Sequence, residues 1–253
     1  MKVSIITVVY NSENFIVKDA INSVRSQDYQ DIEYIVIDGA STNGTLEILK
    51  ENQDSIDILV SEPDKGIYDA INKGINLATG DIIGILNSDD MYLNDKVISR
   101  VVEEFKTKNV DSTYADLVYV DPVNTDIIER HWISGEYKEN LFKSGWMPPH
   151  PTFFVKKEIY KKYGVFNTEL RSAADYELML RFIHVNKISI SYIPEIIVKM
   201  RSGGYSGQSL SHRLFANRED RRAWEINNVK PSFFTLFLKP LRKIPQYFKK
   251  PTI

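Results

Sequence analysis

The chain has 253 residues, 43% of them hydrophobic and 26% charged, enough for one large domain with a substantial core. It contains no cysteine, which excludes disulfides, thiolate metal sites and a cysteine nucleophile. The formal charge of −2 conceals an asymmetry: from Val229 onward there are six basic residues and no acidic one, leaving 26 basic against 34 acidic side chains in the body.

No apolar run approaches the ~20 residues that a membrane-spanning helix needs, and the opening Met1 to Tyr10 is too abrupt and too short for a signal peptide. A cytoplasmic protein is expected, with the sequon Asn43-Gly44-Thr45 incidental. Val3 to Val9 is a mostly β-branched run that predicts a buried strand, ending at Tyr10-Asn11-Ser12. Ile16, Val17, Ala20, Ile21 and Val24 then share one face of a helix. Tyr34 to Ile37 is a second strand, ending at Asp38-Gly39-Ala40-Ser41, and Thr45 to Glu51 a helix with Leu46 and Leu49 inward. Ile56 to Val60 is a third strand, ending at Ser61-Glu62-Pro63-Asp64. Ile67 to Leu77 reads as a helix on Ile67, Ala70, Ile71 and Ile75, closed by Thr79-Gly80. The fourth strand, Ile82 to Leu86, runs into Asn87-Ser88-Asp89-Asp90.

Four buried strands with helices between them predict a parallel sheet of βαβ units, and each strand's carboxyl end carries polar residues. In open α/β sheets the ligand sits in the crevice beyond those ends. Two carboxylates at the end of an apolar strand suit a divalent cation, which takes oxygen ligands. The alternative is a solvated turn with Asp90 or Asn94 capping the next helix. No glycine-rich phosphate loop occurs, so dinucleotide dehydrogenases and P-loop NTPases are disfavoured.

The second half predicts a helix over Lys96 to Phe105 and a hairpin of Tyr114 to Val120 with Ile127 to Ile133. Lys156 to Tyr163 is a short helix stopped by Gly164, and Ala174 to Val185 a longer one with Leu178, Leu180, Phe182 and Ile183 packed. Ile188 to Met200 is strand-like, Ser202 to Gly207 is a glycine-rich loop suited to a lid, and His212 to Asn227 is a charged helix. A single domain over 1–211 is expected, with a nucleotide-binding half (1–95) and an acceptor half (96–211), followed by a helix and tail (212–253).

Several segments in order resemble family 2 glycosyltransferases of the GT-A fold. They are Ile6 to Asn11, Asp38 to Thr45, Glu62 to Ala70 with Asn72-Lys73-Gly74, Ala78 to Asp81, and Asn87 to Asp90. The likeness covers about 1–201 and is nearest to enzymes of bacterial surface polysaccharides, those of the colanic-acid type included. It implies an α/β fold with a mostly parallel central sheet flanked by helices. It also implies a nucleotide-sugar donor, a glycan or lipid-linked acceptor, a divalent metal (Mn²⁺ or Mg²⁺) and inversion at the anomeric carbon. A UDP-sugar is expected first and a GDP-sugar second.

Carried over by the resemblance, Thr7, Val9 and Tyr10 line the base pocket and Asp38 meets the base or ribose, although Asp38 before Gly39 equally suits a turn. Asp64, Asn87 and Ser88 join the nucleotide site. The family's Asp-x-Asp reads Asn87-Ser88-Asp89 here, so Asp89 is the expected metal ligand and Asp90 a supporting or sugar contact. Asn87 brings hydrogen bonds but no charge. The family's acidic pair before a helix reads Ala174-Asp175, which leaves Asp175 as the expected general base or a helix cap, two compatible roles. His150, within Trp146 to Thr152, is expected to contact sugar or phosphate, or else to be a packed loop residue. His212 is carried over more loosely as a donor or acceptor contact.

The tail lies outside the resemblance. Its aromatic and basic residues, broken by Pro231, Pro240, Pro245 and Pro251, suit peripheral contact with an anionic membrane surface. Packing on its own domain or on a second subunit is the alternative, and the acidic body disfavours nucleic acid. Two other functions compete with transfer: a sugar nucleotidyltransferase, which would want a basic glycine-rich loop after the first strand, and a non-catalytic sugar-nucleotide binder, suggested by Asn87 and Ala174.

Overall fold

The computed structural model describes residues 1–12, 14–203, 210–232, 235–242 and 246, with the side chains of 14, 210–215, 236, 237 and 240 outside the description. The first half alternates β1 (Val3–Val9), α1 (Asn14–Arg25), β2 (Ile32–Asp38), α2 (Thr45–Glu51), β3 (Ile58–Ser61), α3 (Ile67–Leu77) and β4 (Ile82–Ile85). These strands pair in parallel in the order β3-β2-β1-β4, with Val9 level with Asp38 and Ile6 with Ile85. Parallel pairing puts every carboxyl end at one edge of the sheet.

The second half continues the same sheet with β5 (Asp90–Tyr92), α4 (Val97–Lys108), β6 (Ser112–Val120), β7 (Ile128–Trp132), β8 (Phe154–Lys156), α5 (Lys157–Tyr163), α6 (Ala174–Met179) and β9 (Ile190–Arg201). Beyond β4 the order is β8-β6-β9-β5, with β7 on β6. Strands β8, β5 and β7 run antiparallel to their neighbours, while β6 and β9 pair in parallel. The chain continues from α6 as one turn of π-helix to Val185, and α7 (Leu210–Ile226) and α8 (Thr235–Leu241) close the fold.

Side-chain alternation along β1 divides the core. Ile6 and Val8 face one apolar layer with α3 and α6, whereas Val3, Ile5 and Val9 face another with α1 and α4. The β6–β7 hairpin and the helices over 45–51 and 67–77 match the sequence pattern.

Four expectations are corrected. Strand β3 starts at Ile58, two residues later than the apolar run. Ile48, not Leu46, joins Leu49 under α2. Ile67 is exposed, because Ala70, Ile71, Gly74 and Ile75 already fill the buried face of α3. Asp90 opens a short strand paired with β9, which removes it as a cap of the next helix; Asn94, the other candidate, accepts from Lys96 N–H at 3.0 Å just before α4.

Part of the tail packs on its own domain. In α8, Thr235 donates to the Lys143 carbonyl at 2.6 Å and Lys239 pairs with the buried Asp220 at 2.7 Å. Gly145 (φ +77°) lies so close beneath α8 that a Cβ there would meet the Lys239 backbone. Among the described residues no helix is long and apolar enough to cross a membrane.

Candidate active site

The carboxyl ends of β1 to β4 bring Tyr10, Asp38, Ser61 and Asn87 to Asp90 to one edge. Thr7 and Val9 precede this edge with their side chains buried, Thr7 accepting from the Tyr34 hydroxyl at 3.1 Å. Of the three residues expected to line a base pocket, Tyr10 alone offers an exposed side chain, at 66%. Gly39 lets the Asp64 and Tyr10 side chains close over the turn, since a Cβ there would sit 2.5 Å from Asp64 Oδ2 and 3.2 Å from the Tyr10 ring. Asp64 is held over this turn by the Gly66 N–H at 2.8 Å.

Asp38 is fully buried, and its oxygens accept from Ser41 N–H (3.1 Å), Ser41 Oγ (2.5 Å) and Ser61 Oγ (2.6 Å). The turn-building role is therefore realised, and any contact with a base or ribose would be added to these bonds.

After β4, Ser88 Oγ lies 3.2 Å from Ser12 Oγ, and Asn87 directs its amide nitrogen to Asp90 Oδ2 at 3.3 Å and to His150 Nε2 at 3.1 Å. Asp90 is completely buried beneath Asn87, and among the described residues its Oδ1 has no hydrogen-bond partner. Burial, with the neighbouring Asp89 charge, pushes its pKa well above the usual carboxylate range, against a smaller opposing effect of Arg201. Asp90 thus lies beneath the loop with no exposed surface, the arrangement of a supporting residue. The Asp89 side chain is partly exposed and, among the described residues, carries no hydrogen bond or ion pair; its carbonyl accepts from Arg201 at 3.2 Å.

Among the described residues there is no group of three or more metal-ligating side chains. That donor set still fits Mg²⁺ or a similar hard cation, which is commonly held by one or two carboxylates together with substrate phosphates and water. Asp89 is the uncommitted carboxylate, and Asn87 explains its own departure from the family pattern. An amide can donate to Asp90 and His150 together, whereas a carboxylate could donate to neither.

From the other half of the sheet, His150 Nδ1 lies 3.7 Å from Asp175 Oδ2, and the Tyr68 hydroxyl donates to Asp175 Oδ1 at 3.3 Å. The structure therefore joins Asn87, His150, Asp175 and Tyr68 in one row across the cleft. Burial lowers the His150 pKa, against smaller opposing effects of Asp175 and Asp89. The Tyr68 phenol is raised well above its ordinary value by burial and then by the Asp175 charge, so it stays a hydrogen-bond donor. Ala174 is fully buried, and an acid there would have to be desolvated in the core. The side chain of His212 and the loop over 204–209 lie outside the described residues.

Sequence reasoning missed Arg201. It is nearly inaccessible, ion-paired with Asp19 and bonded to the Pro122 and Asp89 carbonyls, so it fixes the acidic loop to β9 and α1. Its position at the end of the last strand gave no local signal of a partner 112 residues earlier.

The profile described as Glycosyl transferase family 2 matches residues 4–164. An uncharacterised glycosyltransferase of Mycobacterium tuberculosis is 32% identical over 187 residues, covering 71% of this chain and 68% of its own. Among solved structures, S. aureus TarS 1–349 in complex with UDP-GlcNAc superposes with a TM-score of 0.69 at 17% identity, over 97% of this chain and 73% of that one. The chain spans 42% of a longer TarS structure. The mannosyltransferase PcManGT of Pyrobaculum calidifontis, in complex with GDP-Man and Mn²⁺, gives a TM-score of 0.66 at 18% identity, over 97% and 69%.

Proposed function

The chain belongs to glycosyl transferase family 2 and is a glycosyltransferase of the GT-A fold, and from that premise we propose that it transfers a sugar, with inversion, from a nucleoside diphosphate sugar to a hydroxyl of a glycan or lipid-linked acceptor. Membership sets aside the nucleotidyltransferase alternative. The observation that carries the reading is the row from Asn87 through His150 to Asp175 and Tyr68, which ties the end of β4 to a partly exposed carboxylate on α6.

In this reading the nucleotide lies over Tyr10, Gly39 and Asp64, and Asp38 and Ser88 keep the loops beneath it in shape. Asp89 would hold a divalent cation, whose bound charge supplies stabilisation of the diphosphate leaving group. Asp175 takes the proton of the acceptor hydroxyl as that oxygen attacks the anomeric carbon from the face opposite the diphosphate. Tyr68 aims the carboxylate by donating to one oxygen, His150 lies 3.7 Å from the other, and Asn87 aims His150. UDP-sugars are the first candidates and GDP-sugars the second; the fold neighbours bind one of each. A role in bacterial surface polysaccharide synthesis rests on the resemblance of the motifs.

The test is a thermal-shift screen of UDP- and GDP-sugars with and without Mn²⁺. A ligand bound only by the native state raises its apparent stability, by ~2.7 kcal/mol at a hundred times its Kd. At least one nucleotide sugar should raise the melting temperature by several degrees, more so with Mn²⁺. If none does in either condition, the reading is wrong.

A further inference from the structure

Asp175 sits in the first turn of α6, at the end of an irregular connection that begins at Gly164. Such a connection sets the direction of the helix only as well as something outside it holds the chain. The flanking residue Ala173 offers no side-chain cap.

That hold comes from α7. The buried Glu219 carboxylate accepts from Arg171 N–H (2.8 Å), Ser172 N–H (2.7 Å) and Ser172 Oγ (2.8 Å), the residues four and three positions before Asp175. On the other side, Trp224 Nε1 donates to the buried Tyr176 hydroxyl at 2.9 Å, and Asn227 donates to Glu177 at 2.9 Å. Helix α8 backs the arrangement, with Lys239 paired to Asp220 and 3.8 Å above the centre of the Tyr176 ring. Residues on both sides of Asp175 are therefore tied to the C-terminal helices, while among the described residues its own carboxylate takes its hydrogen bond from the cleft side, from Tyr68.

A buried carboxylate is a costly way to fill space, since an apolar side chain would do so without desolvating a charge. Its bonds to two consecutive peptide N–H groups and a hydroxyl are charge-assisted and directional. We infer that Glu219 is a positioning residue for transfer, with the Trp224–Tyr176 bond as its counterpart, the two together aiming Asp175 at the acceptor hydroxyl from outside the cleft. This inference rests on Asp175 being the base.

The experiment compares the full chain with its Glu219→Gln, Glu219→Ala, Tyr176→Phe and Asp175→Asn variants. Release of UDP or GDP is followed with whichever nucleotide sugar gives the largest thermal shift, and the affinity for UDP and GDP is measured by calorimetry. Misplacement by about 1 Å can cost on the order of 100-fold in rate. Glu219→Ala should lower kcat by ~10-fold or more with nucleotide affinity and donor KM within about two-fold, and Glu219→Gln, which keeps one acceptor oxygen, should recover part of the loss. An unchanged kcat, or a kcat that falls only in step with nucleotide affinity, overturns the inference. If the Glu219 variants do not fold, Tyr176→Phe, which removes only the Trp224 bond, is read against the same two outcomes. Full activity of Asp175→Asn would instead overturn the base assignment, and so is told apart from failure of Glu219 as its positioner.

Discussion

The Asn87 amide nitrogen lies 3.1 Å from His150 Nε2, a contact that favours one tautomer of the histidine. The same nitrogen lies 3.3 Å from Asp90 Oδ2, so its two hydrogens face Asp90 and His150. With Nε2 accepting, the neutral ring carries its proton on Nδ1, facing Asp175. Protonation of Nε2 would put two donors face to face. Burial already lowers the His150 pKa, so the ring stays neutral above its ordinary value of 6.5 and charges only as the pH falls below that. Transfer should therefore hold level above about pH 6.5 and decline on the acid side. His150→Gln should lose about ten-fold in kcat and move or flatten that acid limb; a pH–rate profile identical to wild type would remove His150 from the row.

Asp175 is the partly exposed carboxylate of this row and the proposed general base. Loss of a general base typically costs 10²–10⁴ in rate. Asp175→Asn should reduce kcat on that scale while binding the nucleotide sugar as before, since a general base acts on the acceptor hydroxyl and not on the nucleotide. Calorimetry with UDP or GDP and an end-point transfer assay separate the two effects.

Asp89 is the acid of the β4 loop whose side chain, among the described residues, carries no hydrogen bond or ion pair. Asp89→Ala should abolish the extra thermal shift that Mn²⁺ gives with a nucleotide, leaving the melting temperature of the ligand-free protein within a degree or two. Removal of divalent ions with EDTA should have the same effect on the wild type. If Mn²⁺ stabilises Asp89→Ala with nucleotide as much as wild type, Asp89 is not the ligand.

The first half of the fold was legible because its strands are short apolar runs and its helices carry a plain 3.6-residue period; β1, α2 and α3 have the bounds that pattern indicated. The residues at the strand ends were legible for the same reason, since a βαβ order places them at one edge. What local pattern could not show was which way a side chain faces once the strand stops. Asp89 and Asp90 are adjacent and chemically alike, yet one is partly exposed and the other sealed, because Asp90 begins a strand that pairs with β9 more than a hundred residues later. Arg201 and Glu219 escaped notice likewise: their partners at Asp89 and Ser172 are set by tertiary packing alone.

Gly145 lets α8 dock. It adopts φ +77°, and a Cβ would collide with the backbone at Lys239 and lie 2.9 Å from the Thr235 carbonyl. Left-handed backbone costs a non-glycine residue ~1–2 kcal/mol before any clash. Gly145→Ala should therefore release α8, visible as faster proteolysis after Arg242 and a melting temperature lower by several degrees. Unaltered cleavage would mean that α8 is not held at this point.

Glu33 offers a test of stability far from the cleft. Its buried carboxylate receives Lys2 Nζ (2.8 Å), Ser4 Oγ (2.6 Å), Thr79 Oγ1 (2.5 Å) and Thr79 N–H (2.7 Å), tying the starts of β1 and β2 to the turn before β4. Burial alone would raise its pKa, but these bonds outweigh burial and bring it from 4.5 down to about 2. A carboxylate whose pKa is depressed on folding stabilises the protein fully above its unfolded value and loses that contribution as the pH falls through its folded value. At 1.36 kcal/mol per pH unit the contribution at neutral pH is roughly 3 kcal/mol. Urea unfolding at pH 7 should show Glu33→Gln destabilised by about that amount, with the gap from wild type narrowing between about pH 5 and pH 2. A gap of the same size at pH 7 and pH 3 would mean that packing around residue 33, not its charge, holds the three strands together.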